Sequence, residues 1–267
     1  NLKNNKKKIQ DEFLNNGFVV QPILDINSLS WIKKLLLKNI YFELKKIKKK
    51  IPKNFDVLNG FHKLIIPSEL NEFRLKVFKN LNSNSEFEKK YYNIAKPYLD
   101  ILVGDELAIQ NNINFSIQCP KDKDSLLPIH ADTWDGNSPF ELVVWVPMVN
   151  CFKTKSMYML PYQENKKFEK IYKQLQKKRL SVFQALKKKL KWIDINYGEV
   201  LIFNLCLPHG NVVNNEKETR WSMNCRFKSL FSPYADKKLG DFFHPLNIKP
   251  MTKIGLNYKF IDEKKES

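Results

Sequence analysis

Glycine is scarce in this chain, 8 of 267 residues, and proline is limited to 13, which excludes a collagen-like or low-complexity polypeptide. Cysteine is scarcer still. Cys119, Cys151, Cys206 and Cys225 lie far apart with no Cys-x-x-Cys pair, so neither a zinc knot nor a disulfide framework is expected, and reduced thiols in a cytoplasm fit best. No apolar run approaches the roughly 18 residues of a membrane-spanning helix, and the basic opening NLKNNKKKIQDEF lacks the apolar stretch of a signal peptide. The expectation is a cytoplasmic protein without a membrane span. Histidine occurs only at His62, His130, His209 and His244, which narrows any search for imidazole chemistry. Acidic residues are also in deficit, 28 against 46 Lys and Arg, leaving a formal charge of +18.

What is present belongs to a folded protein: 43% of residues are hydrophobic and 13% aromatic. The positive charge suits phosphates or an anionic surface. Most of it is lysine scattered among Asn and Ile, however, and a solvated, compositionally biased surface accounts for it as readily. Residues 1–267 are expected to form a single domain, with 1–104 mostly helical. Within that part a helix precedes a short strand at GFVVQPI. A second helix follows over about 28–44, with Ile32, Leu35, Leu36 and Ile40 at helical spacing, and further helices over 69–81 and 85–102. From Glu106 short β-rich runs take over (ELAIQ, INFSIQC, ELVVWVPMV, SMYMLP, KWIDI, EVLIFNL and RWSMNCRFKSL), separated by turn residues. Such a series over 105–232 suggests a barrel or jelly roll, interrupted by a basic helical insertion at about 164–190. The tail, 233–267, reads as an irregular extension ending in the solvated IDEKKES.

One constellation carries chemistry. PIHADTW reads as a strand end, where residues i and i+2 point to the same face, so His130 and Asp132 can chelate one metal. His209, after the strand EVLIFNL, is the candidate third ligand; two imidazoles and a carboxylate suit a divalent iron with open positions. Taken alone, each histidine is equally an ordinary structural residue. Arg220 and Ser222 share one face of a β-rich run beyond His209. A guanidinium fork with a hydroxyl holds a carboxylate bidentately in a fixed orientation. An iron site beside such a clamp is what an α-keto acid cosubstrate requires.

With these residues in place the sequence resembles the Fe(II)/2-oxoglutarate-dependent oxygenases, whose pattern is His-x-Asp, a distal His, then Arg-x-Ser. The start DEFLNNGFVVQPILDINSLSWIKKLL is similar to the phytanoyl-CoA-hydroxylase-like branch. The block LPIHADTWDGNSPFELVVWVPMVNCFKTKSMYMLP is similar to oxygenases of bacterial surface-carbohydrate biosynthesis clusters. The resemblance spans roughly residues 10–230. It implies a mainly β fold with helical support, a double-stranded β-helix (cupin-like jelly roll) with N-terminal helices packed on it.

It also implies His130, Asp132 and His209 as catalytic iron ligands, Arg220 and Ser222 on the 2-oxoglutarate distal carboxylate, and Gln118 and Tyr158 as further cosubstrate contacts. Tyr158 reads equally as a core aromatic. The implied cofactors are Fe(II), 2-oxoglutarate and O2. Asp132 matters for reaction type, because related halogenases lack this carboxylate; its presence favours hydroxylation or another C–H oxidation. Trp134, Asp135, Asn137 and Ser138 follow the metal motif with hydrogen-bonding groups and one aromatic plane, a mixture that suits a sugar and equally an ordinary turn. Lys153 and Lys155 are candidates for a phosphate, while His62 and His244 read as structural. The implied substrate is a sugar or nucleotide-linked sugar. A rival is a nucleic-acid oxidative demethylase, suggested by Arg220-x-Ser222-x-Asn224-x-Arg226, whose arginines are spaced like that group's pair. A second rival is a non-catalytic jelly-roll binding protein.

Overall fold

A computed structural model describes residues 2–177 and 181–259; the insertion residues 178–180 and the terminal IDEKKES expectation lie outside the described residues. In chain order the elements begin with α1 (Leu2–Asn16), β1 (Phe18–Pro22), α2 (Ile26–Lys46), α3 (Pro67–Asn82) and α4 (Phe87–Leu102). Then come β2 (Leu107–Gln110), β3 (Asn114–Gln118), β4 (Glu141–Pro147), β5 (Tyr158–Met159), α5 (Tyr162–Lys177) and α6 (Val182–Leu186). The rest are β6 (Lys191–Trp192), β7 (Glu199–Asn204), β8 (His209–Gly210), β9 (Arg220–Ser229), β10 (Phe243–Leu246) and α7 (Pro250–Asn257).

The helical half follows from capping and spacing. α2 starts where Asp25 accepts hydrogen bonds from the Ser28 amide (2.9 Å) and the Ser28 hydroxyl (2.6 Å), which satisfies a free amide of the first turn. Its Leu29, Ile32, Leu36, Ile40 and Leu44 form one buried stripe. α3 opens with Pro67 in its first turn, where no intrahelical amide donor is needed. Beside these helices lies a seven-stranded antiparallel sheet, in the order β1-β7-β4-β9-β2-β10 with β3 also paired to β9. A second antiparallel sheet has three strands, β6-β5-β8.

The long strand β9 is the spine of the large sheet. β4 runs along one edge, and β2 and β3 share the other, with Gln118 opposite Arg220, Ser116 opposite Ser222 and Asn114 opposite Asn224. Alternation then sorts its side chains. Trp221, Met223, Cys225 and Phe227 are buried in the core, while Arg220, Ser222, Asn224 and Arg226 face the other way, into a cavity. Trp221 fixes this sorting. Its indole Nε1 donates to Leu58 O at 2.7 Å, and its ring packs on Phe61 and Phe115 with centroids 4.8 and 5.6 Å away. A one-residue slip of β9 would put the indole in the polar cavity and Arg220 in the apolar core.

The tail is not the irregular extension the sequence suggested. β10 pairs with β2 over Phe243–Leu246, and α7 follows. Pro245 masks the strand signal in the sequence, yet it is tolerated because β10 ends the strand order and has an open edge. His244 ties this edge to α4: Nε2 lies 2.9 Å from Glu88 Oε2 and Nδ1 lies 3.0 Å from Asn111 Oδ1.

The hydrogen bond to Glu88 raises the His244 pKa above its ordinary value of 6.5. A pKa raised on folding contributes stability that is complete below the unfolded value and is lost as pH rises through the higher folded value. The melting temperature of the wild type should therefore exceed that of His244→Gln by more at about pH 5.5 than at about pH 8.5. A gap that is constant across that range, measured by thermal denaturation, would remove the pair from the pH dependence of stability.

Candidate active site

Two histidines meet at the edge of the small sheet, His209 in β8 and His130 outside the named strands. His130 and His209 form an isolated antiparallel bridge closed by both backbone hydrogen bonds, His130 N to His209 O at 2.9 Å and His209 N to His130 O at 2.8 Å. Their rings consequently lie side by side, with centroids 4.5 Å apart. Each ring is oriented by the same local device. His130 Nδ1 lies 2.8 Å from Pro128 O and His209 Nδ1 lies 2.9 Å from Leu207 O. A carbonyl only accepts, so Nδ1 carries a proton and Nε2 of each ring is the nitrogen left to face a metal.

Asp132 arrives differently from the strand geometry expected of His-x-Asp. It is the first residue of a 3-10 turn, Asp132–Asp135, that ends at Gly136 with φ 79°. The turn still folds the carboxylate back toward the bridge: Asp132 Oδ1 lies 3.7 Å from His130 Nε2. One ligand atom from each of His130, Asp132 and His209 falls within 4.8 Å of the others, close enough for a single ion to touch all three. Burial holds His209 neutral, with its pKa pushed down to about 4, and neutral imidazole is the form that binds metal. Gly210 is dictated by packing: a Cβ there would stand 2.7 Å from both Leu127 O and the Tyr158 hydroxyl.

The triad opens into a cavity of about 830 Å³ lined by both sheets and by α3. Arg220 and Ser222 line it and are almost wholly buried. The Arg220 guanidinium donates through Nη1 to Ser156 O at 3.2 Å, while its Nε has no partner. Among the described residues it makes no ion pair. Burial without a counter-charge lowers its pKa. A permanently charged fork in such a place fits an incoming carboxylate.

Arg226, farther along the same face, does have a partner. Its Nη2 lies 3.1 Å from Asp132 Oδ1 and its Nη1 donates to Gln110 Oε1 at 3.0 Å.

The other residues singled out from sequence are placed less uniformly. Gln118 sits in register beside Arg220, fully buried, with Nε2 donating to Val212 O at 2.7 Å; Tyr158 is buried with its ring against Phe183 and Trp192. Neither lines the cavity. Trp134 is exposed and stacks on Tyr172, with centroids 5.1 Å apart. Asn137 and Ser138 turn away from the cavity toward the C-terminal segment, Asn137 to Lys237 and Ser138 Oγ to Pro233 O at 2.7 Å.

Lys155 is not a surface contact for phosphate. It is fully buried, donating to Asn59 Oδ1 at 2.9 Å and to Glu218 Oε2 at 2.6 Å. Sequence reasoning missed the α3 side of the cavity, Asn71 and Arg74, and the sheet residues Asn114, Ser116 and Trp145. For the sheet residues the signal was the same i, i+2 alternation that marked Arg220 and Ser222.

No family model matches the chain, and no curated protein matches it. Solved structures do. It is similar to the non-heme α-ketoglutarate-dependent carbocyclase SnoK from nogalamycin biosynthesis, at 11% identity and TM-score 0.54, covering 92% of this chain and 98% of that one. Apo HygX from Streptomyces hygroscopicus matches at 12% identity and TM-score 0.53, over 88% of this chain and 91% of that one. The epimerase SnoN in complex with Fe3+, α-ketoglutarate and nogalamycin RO matches at 14% and TM-score 0.50, over 87% and 86%. At these identities the likeness is one of fold.

Proposed function

We propose that this chain is an Fe(II)- and 2-oxoglutarate-dependent oxygenase that hydroxylates, or otherwise oxidises, a C–H bond of a sugar or nucleotide-linked sugar. The observation that carries the reading is the coincidence, in one cavity, of the His130–Asp132–His209 triad and the buried Arg220 guanidinium, which makes no ion pair among the described residues. The donor set fits the metal: two imidazoles and one carboxylate leave half of an octahedral sphere open. Iron, 2-oxoglutarate and O2 bound there would supply an oxidant for a substrate C–H bond, with release of succinate and CO2.

The chain's own part is positioning. Pro128 O and Leu207 O orient the imidazoles, Arg226 holds Asp132, and Arg220 with Ser222 would fix the far carboxylate of the cosubstrate. Core residues such as Phe203 and Val143 wall the same cavity and would keep bulk water from the reacting centre. In this reading the two sheets are the faces of a double-stranded β-helix in a single domain, working in the cytoplasm within surface-carbohydrate synthesis.

The nucleic-acid reading loses its main support, because Arg226 is engaged by Asp132 and Gln110 and so is withdrawn from a phosphate backbone. Anaerobic titration tests the proposal. Adding Fe(II) and then 2-oxoglutarate should produce a weak visible charge-transfer band, and a screen over sugars and nucleotide sugars should find one that drives succinate release. A protein that binds Fe(II) and 2-oxoglutarate without that band would instead fit the non-catalytic binding reading.

A further inference from the structure

We propose that the α3 side of the cavity is an anion subsite in which Arg74 takes a phosphate group of the substrate, making the substrate a phosphorylated or diphosphate-linked sugar. The direction in which that substrate lies rests on the oxygenase reading; the anion subsite itself does not.

Pro67, Leu70, Asn71, Arg74, Leu75 and Phe78 all line the cavity. Their spacing is that of one helical face, so an entire stripe of α3 is turned to the cavity, and Leu75 on it is 48% exposed. An apolar stripe interrupted by a guanidinium and a carboxamide is a wall for an amphipathic ring. Arg74 is braced along one side: Nη2 donates to Asn71 Oδ1 at 2.8 Å and Nη1 to Phe115 O at 3.5 Å. A guanidinium has five donors, so most of the fork stays available. Among the described residues Arg74 makes no ion pair.

The charges of the lining leave Arg74 as the group for the substrate. Its cationic side chains, apart from the histidines, are Arg74, Arg220 and Arg226. Arg226 is neutralised by Asp132, and Arg220 stands beside the triad as the proposed cosubstrate clamp. Of the loop carboxylates in the lining, Asp122 accepts from the Asp124 amide (2.8 Å) and the Ser125 hydroxyl (2.5 Å), and Asp124 is exposed beside Lys123.

A line of hydrogen-bonding groups runs from Arg74 toward the triad. Arg74 contacts β3 at Phe115; next to it Asn114 Nδ2 donates to Asn224 Oδ1 at 3.0 Å across the β3–β9 pair. Asn224 is two residues from Arg226 on the same strand face, and Arg226 reaches Asp132. One step between strands is about 5 Å and two residues along β9 about 7 Å. A hexose phosphate laid along that line would have its phosphate toward Arg74 and its ring toward the triad.

The test is calorimetric titration of the full chain with glucose 1-phosphate, UDP-glucose, glucose and glucosamine, with the melting temperature recorded for every variant. The phosphate-bearing probes should bind at least about tenfold more tightly than glucose or glucosamine, the range expected for charge-assisted hydrogen bonds. Arg74→Gln should weaken them about tenfold or more while leaving glucose unchanged, and Arg74→Lys should restore part of the loss by keeping the charge without the fork. Phosphate probes that bind Arg74→Gln as they bind the wild type overturn the subsite, as does tighter binding of glucosamine. If Arg74→Gln does not fold, the decision passes to Arg74→Met, which also removes the charge and whose unchanged affinity likewise overturns it. The charge-transfer titration of the wild type keeps the two readings separate: phosphate binding without the visible band sinks the oxygenase and leaves the subsite standing.

Discussion

Asp132→Ala should abolish turnover and lower metal affinity by more than about 100-fold, beyond the range attending loss of a group that merely supports a ligand. The size follows from the geometry. The triad has one anionic donor, and without it two imidazoles must hold a divalent cation beside Arg226, which has then lost its ion pair with Asp132. Asp132→Asn separates the two roles of the carboxylate, because its amide oxygen still accepts from Arg226 while the negative charge is gone. The asparagine variant should fold like the wild type and still bind metal weakly. Cobalt titration with succinate quantification on the same samples reads both quantities. Wild-type metal affinity in Asp132→Ala would sink the triad as the metal site.

The second large effect concerns Arg220. Truncating one partner of a buried, hydrogen-bonded charge pair costs about 2–5 kcal/mol, so Arg220→Ala should raise the 2-oxoglutarate requirement by two to three orders of magnitude, with metal affinity nearly unchanged. A less intuitive result accompanies it. Before the cosubstrate arrives, the guanidinium is buried with Nε unsatisfied and no counter-ion among the described residues. A buried charge in that state burdens the fold. Arg220→Met, which keeps the bulk and drops the charge, should therefore melt higher than the wild type when neither sample contains 2-oxoglutarate. Addition of 2-oxoglutarate should raise the wild-type melting temperature and leave the variant's unmoved. Equal shifts in the two proteins would mean that the clamp lies elsewhere.

Much of this site was legible in the sequence because it rests on local periodicity. Strand alternation marks Arg220 and Ser222 as neighbours on one face before any fold is known, and in β9 the same rule extends to Asn224 and Arg226. His-x-Asp was legible for a different reason than the one expected: Asp132 converges on His130 through a 3-10 turn and not through strand pleat. What stayed hidden depends on contacts between distant segments. Arg226 reaches Asp132, α3 supplies a cavity wall, and Lys155 is taken inside by Asn59 and Glu218. Nothing local to those residues announces their partners. Asn137 and Ser138 show the converse limit. A polar turn that would hydrogen-bond a sugar has the same composition as one that hydrogen-bonds the protein's own tail, and the tail holds both. The fold divides in the same way: the helices carry their stripes openly, whereas the edge strand β10 is concealed by Pro245.

The backbone bridge between His130 and His209 also bears on how the protein comes to be folded. The two residues lie far apart in the chain, with β4 and β7 between them, and the chain turns back through β8 to close the bridge. Pairings of such long sequence separation are slow to form because loop-closure entropy must be overcome before they stabilise anything. Assembly of the triad should thus be a late event, and an ion that joins the two histidines should slow unfolding far more than it speeds folding.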